Sequence, residues 1–174
     1  MKKLSLVLFS LLLLGCGNKP INQNFAKLLK AKKYTVAMFI APDCPLCKTL
    51  STPFSELSER YPDIQFLAVY SGTHYEPMEL NMYATETKLI PRIFRDYDYE
   101  VAGQLGASVT PEFFLLDSSA NILYQGMMDD RIIELGSYKQ TWDKLYLDDA
   151  IHAIVSGKTP PIKKTQPIGC VLEY

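Results

Sequence analysis

Neither sign of charge dominates the sequence: 18 lysines and arginines face 19 aspartates and glutamates, for a formal net charge of −1. A chain this balanced lacks the basic footprint of a nucleic-acid binder. Histidine is almost missing, with two residues, and no second Cys or His pair at ligand spacing accompanies Cys44 and Cys47. That excludes a four-ligand zinc site built on them. The longest apolar run near the start, Leu4 to Leu14, is too short to span a bilayer as a stable helix. No internal repeat and no second domain is visible, and the length suits one domain.

What is present begins with a leader. Met1-Lys2-Lys3 is basic, Leu4 to Leu14 is apolar, and Leu13-Leu14-Gly15-Cys16 closes the run with small residues and a cysteine. This is the pattern of a secretion signal over residues 1–15. The Leu-Leu-Gly-Cys ending resembles a bacterial lipobox, which implies cleavage before Cys16 and lipidation of that residue. Two or more acyl chains suffice for stable anchoring. Loss of Lys2 and Lys3 takes the formal charge from −1 to −3. The expected location is the bacterial cell envelope, with the protein lipid-anchored and facing the periplasm or the exterior. Gly17 is not the Asp that marks inner-membrane retention in enteric bacteria, so the outer membrane stays open as the destination.

The organising stretch is Ala41-Pro42-Asp43-Cys44-Pro45-Leu46-Cys47-Lys48. It follows the apolar run Thr35 to Ile40, which reads as a buried strand, and it opens a segment with Leu46, Leu50, Phe54 and Leu57 at helical spacing. Two cysteines thus sit where a strand turns into a helix. There, unpaired N–H groups and the positive end of the helix dipole favour thiolate, the nucleophilic form. Cys47 lies one turn on, placed to attack a mixed disulfide at Cys44. A Cys-x-x-Cys beside a βαβ pattern reads as redox. With Cys44 and Cys47 pairing naturally, Cys170 is left odd, as a free thiol or an intermolecular partner.

The rest of the chain reads in order. Residues 16–33 form a polar tether and a short amphipathic helix from Asn24 to Lys33, with Phe25, Leu28 and Leu29 on one side. Ile64 to Tyr70 is a second buried strand, completing one βαβ unit with strand 35–40 and helix 45–60. Helices are expected over 77–88 and 97–105, with a short extended piece over 91–94 between them. Phe113 to Asp117 and Ile122 to Gln125, joined by Ser118-Ser119-Ala120-Asn121, form a hairpin. An amphipathic helix over 141–155 presents Trp142, Leu145, Tyr146, Ala150, Ile151 and Ile154 on one face. Residues 157–174 are a Pro- and Lys-rich tail ending in Ile168-Gly169-Cys170-Val171.

Strand, Cys-x-x-Cys, helix, strand, then Val109-Thr110-Pro111 before a hairpin resembles the thioredoxin-fold redoxins, in particular the membrane-anchored TlpA and ResA type thiol-disulfide oxidoreductases. The likeness covers residues 34–156 and includes Tyr124-Gln125-Gly126 followed by Asp129-Asp130-Arg131, which it places near the rim of the site. It implies a three-layer α/β/α sandwich with a central mixed sheet and an inserted helix near 77–88. Cys44 would be the attacking thiolate and Cys47 the buried resolving thiol. Pro111 would be a cis-proline facing the cysteines, leaving the backbone at Thr110 free to pair with a substrate strand. Protein thiols and disulfides would be the substrates, with a membrane electron donor or an oxidant protein as redox partner and no cofactor. Two departures stand out. Asp43 occupies the position of a Trp and its charge opposes the helix dipole at Cys44. Met38 stands where thioredoxins bury an acid, and Glu112 is the nearest replacement, although a Glu is expected to face solvent.

A reductant is the favoured role, because Pro45-Leu46 brings no positive charge to the cysteines. Alternatives of other classes remain. A peroxiredoxin-type thiol peroxidase would want a Thr or Ser three residues before its cysteine, where Ala41 stands, though Cys170 could serve as a distant resolving thiol. A copper-binding module could draw on His74, His152, Met127 and Met128, but that family spaces its cysteines three apart. A non-catalytic interaction module would use the tyrosines as a partner surface. Cys170 could also fold back on Cys44 or Cys47 as a third redox thiol.

Overall fold

The structure, a computed structural model, describes residues 21–174. The leader over 1–15, the lipidation candidate Cys16 and most of the tether lie outside the described residues. In chain order the elements are α1 (Gln23–Leu29), β1 (Tyr34–Ile40), α2 (Pro45–Arg60), β2 (Gln65–Ser71), α3 (Pro77–Glu86), β3 (Arg92–Asp96) and α4 (Glu100–Leu105). Then follow β4 (Val109–Thr110), β5 (Glu112–Asp117), β6 (Ile122–Gly126), β7 (Ile132–Glu134), β8 (Ser137–Tyr138), α5 (Tyr146–Val155) and β9 (Cys170–Val171).

Successive side chains of a strand point to opposite faces, and β1 sets the layers through that alternation. Val36, Met38 and Ile40 pack with Leu46, Leu50, Phe54 and Leu57 of α2 and with Leu147, Ile151 and Ile154 of α5. Ala37 and Phe39 pack on the other side with Phe25 and Leu29 of α1 and with Val101, Ala102 and Leu105 of α4. A strand covered on both faces must be apolar throughout, which is why 35–40 reads as a continuous run. The main sheet runs β3-β2-β1-β5-β6. β1, β2 and β3 are parallel, whereas β5 is antiparallel to both β1 and β6. This is the mixed-sheet, three-layer architecture the resemblance implies, and α3 is its inserted helix, burying Leu80 and Tyr83 against the α2 layer.

Two polar devices tie the α4 layer to the sheet edge. Buried Asp96, at the end of β3, accepts from the Val101 and Ala102 amides at 3.0 and 2.9 Å and so caps α4. Its Oδ2 also takes the Ser71 hydroxyl at 3.0 Å.

The last helix starts later than its sequence pattern suggests. Trp142 and Leu145 are exposed, and α5 begins only at Tyr146. Residues before it are held as an irregular strap, because the Asp130 carboxylate accepts the Lys144 amide at 3.1 Å. Trp142 instead lies under the Arg131 guanidinium, 4.5 Å from its ring centre. Likewise α1 stops at Leu29, where the chain turns into β1, so Lys30 to Lys33 are not helical.

Candidate active site

Cys44 is the N-cap of α2, in an extended conformation at φ −81° and ψ 115°. Its amide donates to Ala41 O at 3.0 Å, closing the turn out of β1. Its carbonyl accepts the Cys47 amide at 3.1 Å and the Lys48 amide at 3.3 Å. Pro45 fits the first helical position because its missing N–H would have had no partner there. The Cys44 side chain makes no capping hydrogen bond, and as the N-cap residue it sits at the positive end of the helix dipole.

Cys47, one turn further, is fully buried. Burial pushes its thiol up to about 12, against smaller lowering contributions from the Ala41 amide and the Thr110 side chain; the Asp43 charge adds to the rise. The Ala41 N–H points at Cys47 Sγ at 3.4 Å. Asp43 itself is exposed, and Met38 is buried in the core at the place where an acid is missing.

The Thr110–Pro111 peptide bond is cis, and both residues are buried. Cys44 Sγ lies 3.0 Å from Thr110 O, so the cis-proline turn and the cysteine pair form one cluster although they are 66 residues apart in sequence. Pro42, Asp43 and Lys48 border an open depression beside it, with Tyr75, Glu79 and Met82 opposite.

The cysteine pairing differs from the sequence expectation. Cys44 forms its disulfide with Cys170, at a Cα–Cα distance of 6.1 Å, and Cys47 keeps a free thiol. The reason lies in the tail, which is not a loose end. Thr165 Oγ1 accepts the Met127 amide at 2.8 Å, the Thr165 amide donates to Gln125 O at 3.0 Å, and the chain then runs on to β9. β9 pairs antiparallel with β4, setting Val171 opposite Val109 and Cys170 opposite Thr110. The Leu172 amide donates to Ser108 O at 3.0 Å, and the Tyr174 hydroxyl donates to Ala107 O. A strand this short carries almost no periodic signal. The Gly-Cys-Val triplet after a proline-rich stretch was the only hint of it.

Glu112 is also corrected. It is fully buried rather than solvent-facing. One carboxylate oxygen accepts the Ser108 amide at 2.8 Å and the other accepts Gln125 Nε2 at 2.8 Å. By strand alternation it shares a face with Phe114 and Leu116, on the α1/α4 side of the sheet, whereas the cysteines belong to the α2 side. It therefore fastens the turn into β4 and does not stand in for the missing acid.

Asp129, Asp130 and Arg131 lie away from the cysteines. Asp129 pairs with Arg131 at 2.7 Å and Asp130 with Lys139. Asp129 and Arg131 border a cavity with Pro53, Leu57 and Arg60 from the far half of α2. His74 stacks edge-on against Tyr75 with ring centres 4.9 Å apart, and His152 is exposed on α5. Among the described residues, no group of three or more His, Cys, Asp and Glu side chains is disposed to hold a metal ion.

A family model described as a thioredoxin-like domain matches residues 21–135. The chain belongs to that family. Cys44 and Cys47, close together at the start of α2 beside a cis-proline, both fall within the matched segment. Residues 136–174, including Cys170, lie outside the match. Among solved structures the thioredoxin-like chain resembles a hypothetical protein from Sinorhizobium meliloti, with 21% identity and a TM-score of 0.73 over 85% of this chain and 83% of that one. An uncharacterized conserved protein from Geobacillus kaustophilus is similar at 25% identity and a TM-score of 0.71, over 85% and 80%. A thioredoxin-like protein from Aeropyrum pernix shares the fold at 18% identity and a TM-score of 0.50, over 55% and 70%. No curated protein matches the sequence.

Proposed function

We propose that the protein is an extracytoplasmic thiol-disulfide oxidoreductase, held to the cell envelope by lipid on Cys16, that reduces protein disulfides. The observation that carries the catalytic part is the junction of three groups: Cys44 at the N-cap of α2, Cys47 buried one turn on, and cis-Pro111 beside them. Cys44 attacks a substrate disulfide, a mixed disulfide forms, and Cys47 displaces the substrate as thiolate. Thr110 presents the backbone against which an extended substrate segment pairs.

The direction of electron flow follows from what stabilises the reduced form. Strong oxidants are strong because their reduced thiolate is stabilised. Here Pro45-Leu46 brings no positive charge to the attacking Cys44, and the exposed Asp43 carboxylate beside it opposes a thiolate there. A poorly stabilised reduced form gives its electrons away, so a reductant role is supported. A donor in the membrane would then keep the dithiol reduced.

The test is a redox titration of the full-length chain beside its Cys44→Ser variant. A couple below about −200 mV, in the range of reductants, that vanishes in the variant supports the reading. A potential near roughly −120 mV would reverse the direction of flow. With no couple at all, the enzyme reading falls. Anchoring is tested separately: labelled fatty acid should be incorporated by the native chain and not by Cys16→Ser.

One observation favours a second reading. A disulfide between Cys44 and a cysteine 126 residues away suits a thiol peroxidase with a distant resolving thiol. Ala41 offers that chemistry no hydroxyl. Peroxide consumption at Cys44 well above the rate of a free thiol would promote this alternative over the first.

A further inference from the structure

The tail occupies the place that a substrate needs. β9 lies antiparallel along β4, with Cys170 opposite Thr110 and its sulfur on Cys44. Ile168 and Cys170 also pack against the core cluster that holds both active-site cysteines. The approach is close: a Cβ on Gly169 would stand 2.5 Å from Thr110 O and 2.8 Å from Thr110 C. Only glycine lets the tail backbone lie this near the cis-proline turn. Further back, Gly126 has φ 136°, and a Cβ there would meet Thr165 Oγ1 at 2.1 Å. Two glycines, one on the tail and one on β6, thus make room for the same docked segment.

Cys47 stands beside this bond as a buried free thiol, and the other two cysteines among the described residues are the pair that form it. Thr110 meets both halves of the bond, its carbonyl 3.0 Å from Cys44 Sγ and its backbone paired opposite Cys170. The arrangement is that of a mixed disulfide awaiting resolution, with the chain's own tail in the position of substrate.

We propose that Cys170 is a third redox thiol of the site, and that the oxidised protein exchanges between a Cys44–Cys170 disulfide with the tail docked and a Cys44–Cys47 disulfide with the tail released. This rests on Cys44 being the attacking thiol. Cys47, as thiolate, attacks Cys44 Sγ; the Cys44–Cys170 bond breaks and the Cys44–Cys47 bond forms. The electron pair leaves on Cys170 Sγ, which takes up the proton that Cys47 gave up. The exchange is an isomerisation and needs no external oxidant or reductant. Its consequence is access: an incoming protein cysteine reaches Thr110 only after β9 has left.

The test is disulfide mapping of the oxidised full-length chain after acid quench and alkylation. Trypsin releases Cys44 and Cys47 together in the peptide 34–48 and Cys170 in 165–174. The expected result is a linked pair of these peptides with Cys47 alkylated, coexisting with a 34–48 peptide closed on itself. Cys47→Ser should leave only the linked pair. Gly169→Ala, which keeps every cysteine, should lower the linked species relative to the closed peptide by at least about tenfold, since overpacking at a backbone contact weakens docking. Finding only the closed peptide, with Cys170 always alkylated, would overturn the proposal and leave the oxidoreductase reading intact. A linked pair that never yields the closed peptide would overturn the exchange. If neither disulfide forms and insulin is not reduced, the function proposed above fails as well.

Discussion

At the scale of single residues, Cys47 and Glu112 make measurable claims. Only thiolate resolves a mixed disulfide, and burial pushes the Cys47 thiol up to about 12. In Cys170→Ser, release of a chromogenic thiol from a Cys44 mixed disulfide should therefore accelerate about tenfold per pH unit from roughly pH 7 to 9, with no plateau near 8.5 where an ordinary thiol levels off. Stopped-flow absorbance reads this directly, and a plateau there would mean that Cys47 is exposed in solution. Glu112→Ala leaves the Ser108 amide and Gln125 Nε2 without their acceptor. Urea denaturation should show a loss of about 1–3 kcal/mol, the range for leaving buried hydrogen-bond donors unsatisfied. The cysteine pair was legible because chemistry constrains its spacing and its helix start. Glu112 was not, because its burial depends on Ser108 and on Gln125 of a neighbouring strand. No local pattern announces such partners.

At the scale of elements, the sequence speaks clearly wherever a strand or helix is long enough for its period to show. β1, α2, β2 and the β5–β6 hairpin fall within a residue or two of their sequence-derived limits. The failures share a cause. α5 loses its first turn to the strap between Asp130 and Lys144, a tertiary contact that overrides helical spacing. β9 has two residues, too few for alternation. Its docking depends on Gly126, whose φ of 136° and contact with Thr165 leave no space for a side chain. Gly126→Ala should thus detach the tail, costing about 1–3 kcal/mol in strain and overpacking. Limited trypsin digestion should then cut faster after Lys163 and Lys164 while the rest of the domain stays intact. Equal cleavage rates in the variant and the native protein would refute this.

At the scale of the whole molecule, the cysteine pairing sets how strongly oxidation matters to stability. A bond between residues 126 apart constrains the unfolded chain far more than one between Cys44 and Cys47. Loop-closure entropy for a ring of this size is worth about 4–5 kcal/mol. Oxidised protein should accordingly unfold at clearly higher denaturant than reduced protein, and Cys170→Ser should abolish most of that gap. Coincident curves for the two native forms would show that the long-range bond does not form. The pairing of β4 has a further consequence for how molecules meet one another. Among the described residues β4 pairs only with β9, so when the tail departs, the groups that β9 had paired at Val109 and Thr110 become an open edge. Bare strand edges invite edges from other chains. The protein's tendency to self-associate should therefore follow its redox state, with light scattering rising on reduction and falling again as the tail re-docks.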